Sequence, residues 1–239
     1  MVVVERLRRA FGPILAVNDV SFAAEKGEVL GILGPNGAGK STAMKMLTCF
    51  LPPDAGTASI CGHDVRRTPI QARRSLGYVA ENAPLYSEMT VAGFLKFICD
   101  VRRIGPKRRR EAIDNVVETC SLGPVYHQTI ETLSKGYQRR VALGQALIHD
   151  PPVLILDEPT DGLDPNQKHE VRKLIRTMSR DKCILISTHI LEEVEAVCSR
   201  VIILDGGAVR ADATPQKLKD DHGGDLTQVF RKITAGHTS

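Results

Sequence analysis

The chain has 239 residues, 42% of them hydrophobic and 25% charged, with a formal net charge of +4. That balance excludes a disordered chain, and the length is enough to bury a sizeable core in one compact unit with room for a subdomain. The charge is too mild to call for nucleic acid as a partner.

Residues 2–7, 20–22 and 29–33 read as strands, and the third runs into a glycine-rich loop. A helix is expected from Ser41 to about Phe50, stopped by Pro52 and Pro53, and strands at 57–61 and 76–79. From Ala83 to about Leu133 helical periodicity replaces alternation, with Pro84, Gly105-Pro106 and Gly123-Pro124 as breaks. The basic run Lys107–Arg110 is best read as the solvated start of a helix, because Ile113, Val116, Val117 and Cys120 follow at helical spacing. Beyond it, 153–156, 183–187 and 201–204 are continuous apolar runs of strand length, as in buried parallel sheets. Helical stripes separate them: Val171, Leu174, Ile175 and Met178, then Leu191, Val194, Val197 and Cys198. The alternation predicts an α/β layered fold. A polar tail after Leu218 carries one amphipathic piece, Leu226, Val229, Phe230 and Ile233.

Six cysteines show no CxxC pair and no zinc-like grouping with histidine, which suits small buried hydrophobes in a reducing compartment. The opening MVVVERLRRAFG lacks the long apolar core of a signal peptide, and no run approaches the roughly 20 apolar residues of a membrane helix. If the protein acts at a membrane, another chain is expected to cross it.

The segment Gly34-Pro35-Asn36-Gly37-Ala38-Gly39-Lys40-Ser41 matches GxxxxGK[ST] between a predicted strand and a predicted helix. Glycines let successive N–H groups face inward, and the helix N-terminus adds partial positive charge for phosphate. Lys40 would reach the β- and γ-phosphates of ATP, and Ser41, followed by Thr42, would place a hydroxyl on Mg2+. Alone, this loop predicts nucleotide binding and no particular activity. The apolar run 153–156 ends in Asp157 and Glu158. A strand-end Asp can hold Mg2+, and the adjacent Glu can polarise an attacking water as general base. His189, after another buried strand, can donate to the γ-phosphate. Lys40, Glu158 and His189 are thus the catalytic candidates.

Taken together these residues resemble a known pattern. Leu133-Ser134-Lys135-Gly136-Tyr137 resembles the LSGGQ signature of ABC ATPases, Asp161-Gly162-Leu163-Asp164 their D-loop, and Ser187-Thr188-His189 their H-loop. The motifs come in the family's order and span Phe11 to His189. The resemblance implies an α/β P-loop NTPase of ABC ATPase type: a mixed-sheet core, an N-terminal antiparallel β-subdomain, and a helical subdomain inserted at about 82–137. The ATPase domain would cover 1–218, and a short tail with one amphipathic helix 219–239.

It also implies head-to-tail dimers, of two copies of this chain or of a pair of ATPases, in which the phosphate loop of one subunit and the signature of the other enclose each ATP. Ser134 and Gly136 would then face the partner's γ-phosphate, and Phe11 falls where the family stacks an aromatic on adenine, core packing being the other reading. Two motifs depart from the pattern. Glu81 stands where the Q-loop glutamine is usual, and its carboxylate can still ligate Mg2+ beside Ser41 and Asp157; Lys135 and Tyr137 replace glycine and glutamine in the signature. The stretch from Gly77 to Tyr86 and the run Leu133–Arg140 look like the ATPases of ABC-2 type exporters, particularly those similar to gliding-motility and nitrous-oxide-reductase maturation transporters. That implies an integral membrane permease as partner, a cytoplasmic location on the inner face of the membrane, and no nucleic acid. The alternative is a soluble ABC ATPase switching on ribosomes or DNA, whose members usually carry two ATPase domains or long insertions.

Overall fold

Two sheets face one another across a shared apolar layer in the computed structural model, which describes residues 1–234. The smaller is antiparallel, in the order β2 (Ile14–Ala24), β1 (Val2–Phe11), β4 (Ala55–Ile60), β5 (His63–Asp64). The larger runs β10 (Ala208–Ala213), β9 (Arg200–Asp205), β3 (Val29–Leu33), β8 (Cys183–Thr188), β7 (Val153–Asp157), β6 (Leu76–Val79). Its strands are parallel except for β10, which pairs antiparallel with β9. The mixed-sheet α/β class with an antiparallel N-terminal sheet is thus the one expected.

Between the sheets lies α1 (Lys40–Leu47), with Ala43, Met44, Met46 and Leu47 buried in the shared layer. The other face of the large sheet is covered by α3 (Val91–Val101), α4 (Pro106–Thr119), α5 (Lys135–Leu147) and α6 (Pro165–Met178). A third apolar cluster joins α7 (Leu191–Val197), α8 (Pro215–His222) and α9 (Leu226–Thr234) to Leu33, Val201 and Ile203 of the sheet. Each fully buried Leu, Ile or Val contributes about 1.5–3 kcal/mol of transfer free energy. That is why the uninterrupted apolar strands lie at the centre.

Several elements differ from the sequence expectation. The first two strands are longer than 2–7 and 20–22 and form one hairpin; Arg6 and Asp19 take positive φ, and the pairing shifts there. Those bulges keep Leu7 and Val20 buried while breaking the alternation that marks a strand in sequence. Helix α1 ends at Leu47, short of Phe50: Cys49 turns left-handed, and the N–H groups of Phe50 and Leu51 both donate to Lys45 O at 2.9 and 3.0 Å. Short β5, α2 (Pro69–Arg74), β10 and α8 were not expected. Thr214 and Pro215 start α8, with Lys217 N donating to Thr214 Oγ1 at 3.1 Å, so the boundary placed at 218 falls inside a helix. Residues 235–239 of the expected tail lie outside the described residues.

Candidate active site

The site follows from the strand order. In the large sheet β8 sits between β3 and β7, so the C-terminal ends of three parallel strands lie side by side. Leu33 leads into the glycine loop, Asp157 into Glu158, and Thr188 into His189. Open α/β sheets bind ligands at such ends.

Residues 34–39 wrap the N-terminus of α1, with Gly37 at φ +82° and Gly39 at φ +100°. A Cβ at Gly39 would overlap the Ala16 carbonyl oxygen, so both backbone angle and space require glycine there. Lys40 is buried and donates from Nζ to Gly34 O at 2.7 Å and Pro35 O at 3.1 Å. Burial lowers its pKa; the negative charges of Glu158, Asp157 and Glu81 oppose that shift. One cation thus faces the three carboxylates expected around the Mg2+ and the attacking water.

Asp157 is buried and accepts from the Ser187 hydroxyl, its neighbour across the β7–β8 ladder. Glu158 sits at φ +47°, a left-handed conformation that costs a non-glycine residue about 1–2 kcal/mol. Its N–H donates to Ser187 O at 3.0 Å, and its carbonyl accepts from Asp161 N at 3.2 Å and Arg139 Nη2 at 2.6 Å. Its side chain meets His189: Oε1 lies 2.9 Å from Nδ1. The second oxygen, Oε2, is buried without a hydrogen-bond partner among the described residues. A carboxylate with one oxygen engaged and the other free suits a general base. Burial, followed by the charges of Asp157 and Glu81, pushes the nearby Tyr78 hydroxyl up to about 12, so it stays protonated.

A cleft of about 400 Å3 gathers most of these groups: residues 36–42, Glu81, Glu158 and His189 line it, with Phe11, Ile14 and Ala16 on the β-sheet side, while Gly34, Pro35 and Asp157 are not among its lining. Phe11 is 44% exposed, with the Arg9 guanidinium 5.0 Å from its ring centroid, which is not a core position. Ile14 and Ala16 belong to the cleft but not to any motif; their signal was only their place beside Phe11 in the hairpin.

The expected signature residues 133–137 are not among those lining this cleft. Ser134 is the N-cap of α5 and accepts from Tyr137 N at 3.4 Å. Lys135 is exposed; the Tyr137 ring lies under the Arg140 guanidinium at 5.5 Å. Gly136 is buried beside Gln167 of α6. Asp164 caps α6, accepting from Gln167 N at 2.9 Å, so the D-loop and signature adjoin. Gly162 has φ +69° and Leu163 is buried. Lys135, Asp161, Gly162 and Leu163 line a second hollow of about 290 Å3, which shares Glu81 with the cleft.

The family model described as ABC transporter matches residues 17–161, more than half of the chain. The chain belongs to the ABC transporter family. Within that family it is the ATP-binding, ATP-hydrolysing component. It is 37% identical over 94% of its length to the Nod factor export ATP-binding protein I of Rhizobium sp. (strain N33), covering 74% of that protein. It is 34% identical over 95% of its length to the daunorubicin resistance ATP-binding protein DrrA3 of Streptomyces coeruleorubidus, covering 72% of it. Among solved structures, an ATP-binding subunit of an ABC transporter superposes with a TM-score of 0.87 at 27% identity, with 98% of this chain and 99% of that chain covered. This ABC ATPase also carries a buried residue that sequence reasoning missed. Arg139 lies on the inward stripe of α5 with Gly136 and Leu143, and a lone charge at that spacing was the available signal.

Proposed function

We propose that this ABC ATPase works as a head-to-tail dimer powering an exporter through a separate membrane permease. The observation that carries the dimer is the place of α5: its N-terminus, with Ser134 and Gly136, lies outside the chain's own nucleotide cleft. A helix N-terminus is suited to phosphate, and a second subunit can bring its own α5 to this cleft. ATP would then join the two subunits, and hydrolysis would let them part.

In this reading Lys40 and the loop amides hold the phosphates, Phe11 packs against the base, and Glu158 accepts a proton from water through its free Oε2. His189 orients Glu158 and the γ-phosphate. The donor set fits Mg2+, a hard ion that takes a hydroxyl, one or two carboxylates and phosphate oxygens. Ser41 and Asp157, with Glu81, would hold it. Bound there, the ion supplies positive charge to the phosphate oxygens.

The permease reading draws on the names of the relatives, one a Nod factor export protein, and on a groove of about 830 Å3. That groove lies between the end of α1 and α3, where Phe50, Ile70 and Val101 are 78%, 59% and 60% exposed. Such apolar side chains, Phe50 and Ile70 on the sheet body and Val101 on the helical subdomain, suit an amphipathic segment of a membrane protein. No helix among the described residues is long and apolar enough to cross a membrane. The protein would sit on the cytoplasmic face. Light scattering with ATP tests the dimer: the Glu158→Gln chain is expected to double in mass, and adding Ser134→Glu is expected to abolish the doubling. Co-purification of a membrane subunit, lost on Phe50→Asp, tests the permease contact. Salt-sensitive binding to RNA or DNA in its place would contradict it.

A further inference from the structure

Helix α5 carries a charge on a face that is otherwise small or apolar. Arg139 is buried between Gly136 and Leu143. Its donors go to main-chain oxygens: Nη1 to Ala80 O at 3.0 Å and Glu81 O at 3.1 Å, and Nη2 to Glu158 O at 2.6 Å. One planar group thereby joins α5 to the loop after β6 and to the turn after β7. Burial lowers the pKa of Arg139, while Asp161, Glu193, Asp157 and Glu81 oppose the shift.

Glu158 needs such support. Its left-handed backbone sets the direction of the carboxylate, and without Arg139 its carbonyl would keep only the Asp161 N–H. Arg139 lies five residues along α5 from Ser134, about 7.5 Å along the axis of a stiff helix.

We propose that Arg139 is a positioning residue that ties the signature end of α5 to the general base, so that contact with the partner subunit's nucleotide fixes Glu158 for hydrolysis. This rests on the dimer reading above. A displacement of α5 is passed to the Glu158 carbonyl and to Glu81 together. The signature of one site and the base of the other therefore move as one body.

The test uses the full chain with ATP and Mg2+, comparing Arg139→Ala, Arg139→Lys and wild type in turnover, nucleotide titration and light scattering. Arg139→Ala is expected to lower kcat about tenfold or more while Kd and KM for ATP stay within about threefold. In the Glu158→Gln background it is expected still to dimerise with ATP, because the signature itself is intact. Arg139→Lys keeps the charge but not the planar fork, and is expected to fall between the two. Turnover of Arg139→Ala within about twofold of wild type would overturn the proposal, as would losses of nucleotide affinity and dimerisation as large as the loss of turnover. If the alanine variant does not fold, Arg139→Lys decides: lower kcat at unchanged Kd supports the role, and unchanged kcat overturns it. Failure of the dimer reading is visible separately, because Glu158→Gln alone would then stay monomeric with ATP.

Discussion

His189 Nδ1 lies 2.9 Å from Glu158 Oε1, while Glu158 Oε2 is buried with no hydrogen-bond partner among the described residues. The histidine thus engages one oxygen and leaves the other open, as the proposed general base requires. Replacing His189 with alanine removes an orienting contact and leaves the phosphate loop untouched. Turnover is expected to fall about 100-fold with nearly unchanged nucleotide affinity, the pattern of a contact that matters in the transition state. Steady-state kinetics beside equilibrium nucleotide titration separates the two; equal losses in both would count against this role.

Lys40 faces Glu158, Asp157 and Glu81 from inside the loop. With the cation gone, the loop loses a positive charge that offsets both these carboxylates and the phosphates of ATP. Lys40→Ala is expected to weaken ATP binding about tenfold or more while leaving the thermal midpoint within a few degrees. Fluorescent-nucleotide titration and a melting curve check both halves.

Two glycines should respond to different degrees. At Gly39 an alanine methyl would strike the Ala16 main chain at a φ of +100°, so Gly39→Ala is expected to destabilise the fold by about 2 kcal/mol or more. At Gly136 the methyl would meet the Gln167 side chain at 2.6 Å, and that side chain can turn away. Gly136→Ala is expected to cost less than about 1 kcal/mol in urea melts, yet to slow hydrolysis by displacing Gln167 where signature and D-loop adjoin. A larger stability loss at Gly136 than at Gly39 would contradict the loop geometry.

Much of this site is readable in the chain because its motifs are contiguous. Gly34–Ser41 dictates a local backbone, and an apolar run ending in Asp157-Glu158 dictates a strand end; neither needs a distant partner. What was not readable depends on register and packing. The Ser187–Asp157 bond exists because β7 and β8 pair in one particular alignment. Arg139 reaches three carbonyls only once α5 is packed over β6 and β7. The N-terminal hairpin extends beyond its sequence pattern because the left-handed bulges at Arg6 and Asp19 interrupt the alternation. Helix α8 was missed among polar residues although Thr214-Pro215 is a capping signal.

His149 gives the stability a pH dependence. Burial, then the charge of Arg102, lowers its pKa from 6.5 to about 4, although Leu76 O, 3.0 Å from Nε2, acts the other way. Above pH 6.5 the imidazole is neutral folded and unfolded, so its contribution is fully present. Between 6.5 and about 4 the unfolded chain takes up a proton that the folded chain resists, and stability falls. At about 1.4 kcal/mol per pH unit, that window holds up to about 3 kcal/mol. Urea melts at pH 7 and pH 4 should show a smaller loss for His149→Gln than for wild type; equal losses would rule the histidine out as the cause.

In the proposed mechanism Glu158 takes the proton from the attacking water in a site closed by a second subunit. Glu158→Gln keeps the shape and the His189 contact but removes the base. Single-turnover hydrolysis of ATP with light scattering on the same sample is the most direct measurement. The variant is expected to hydrolyse ATP about 100-fold or more slowly and to accumulate as a dimer with ATP intact. Hydrolysis at the wild-type rate, or a variant that binds ATP and remains monomeric, would contradict it.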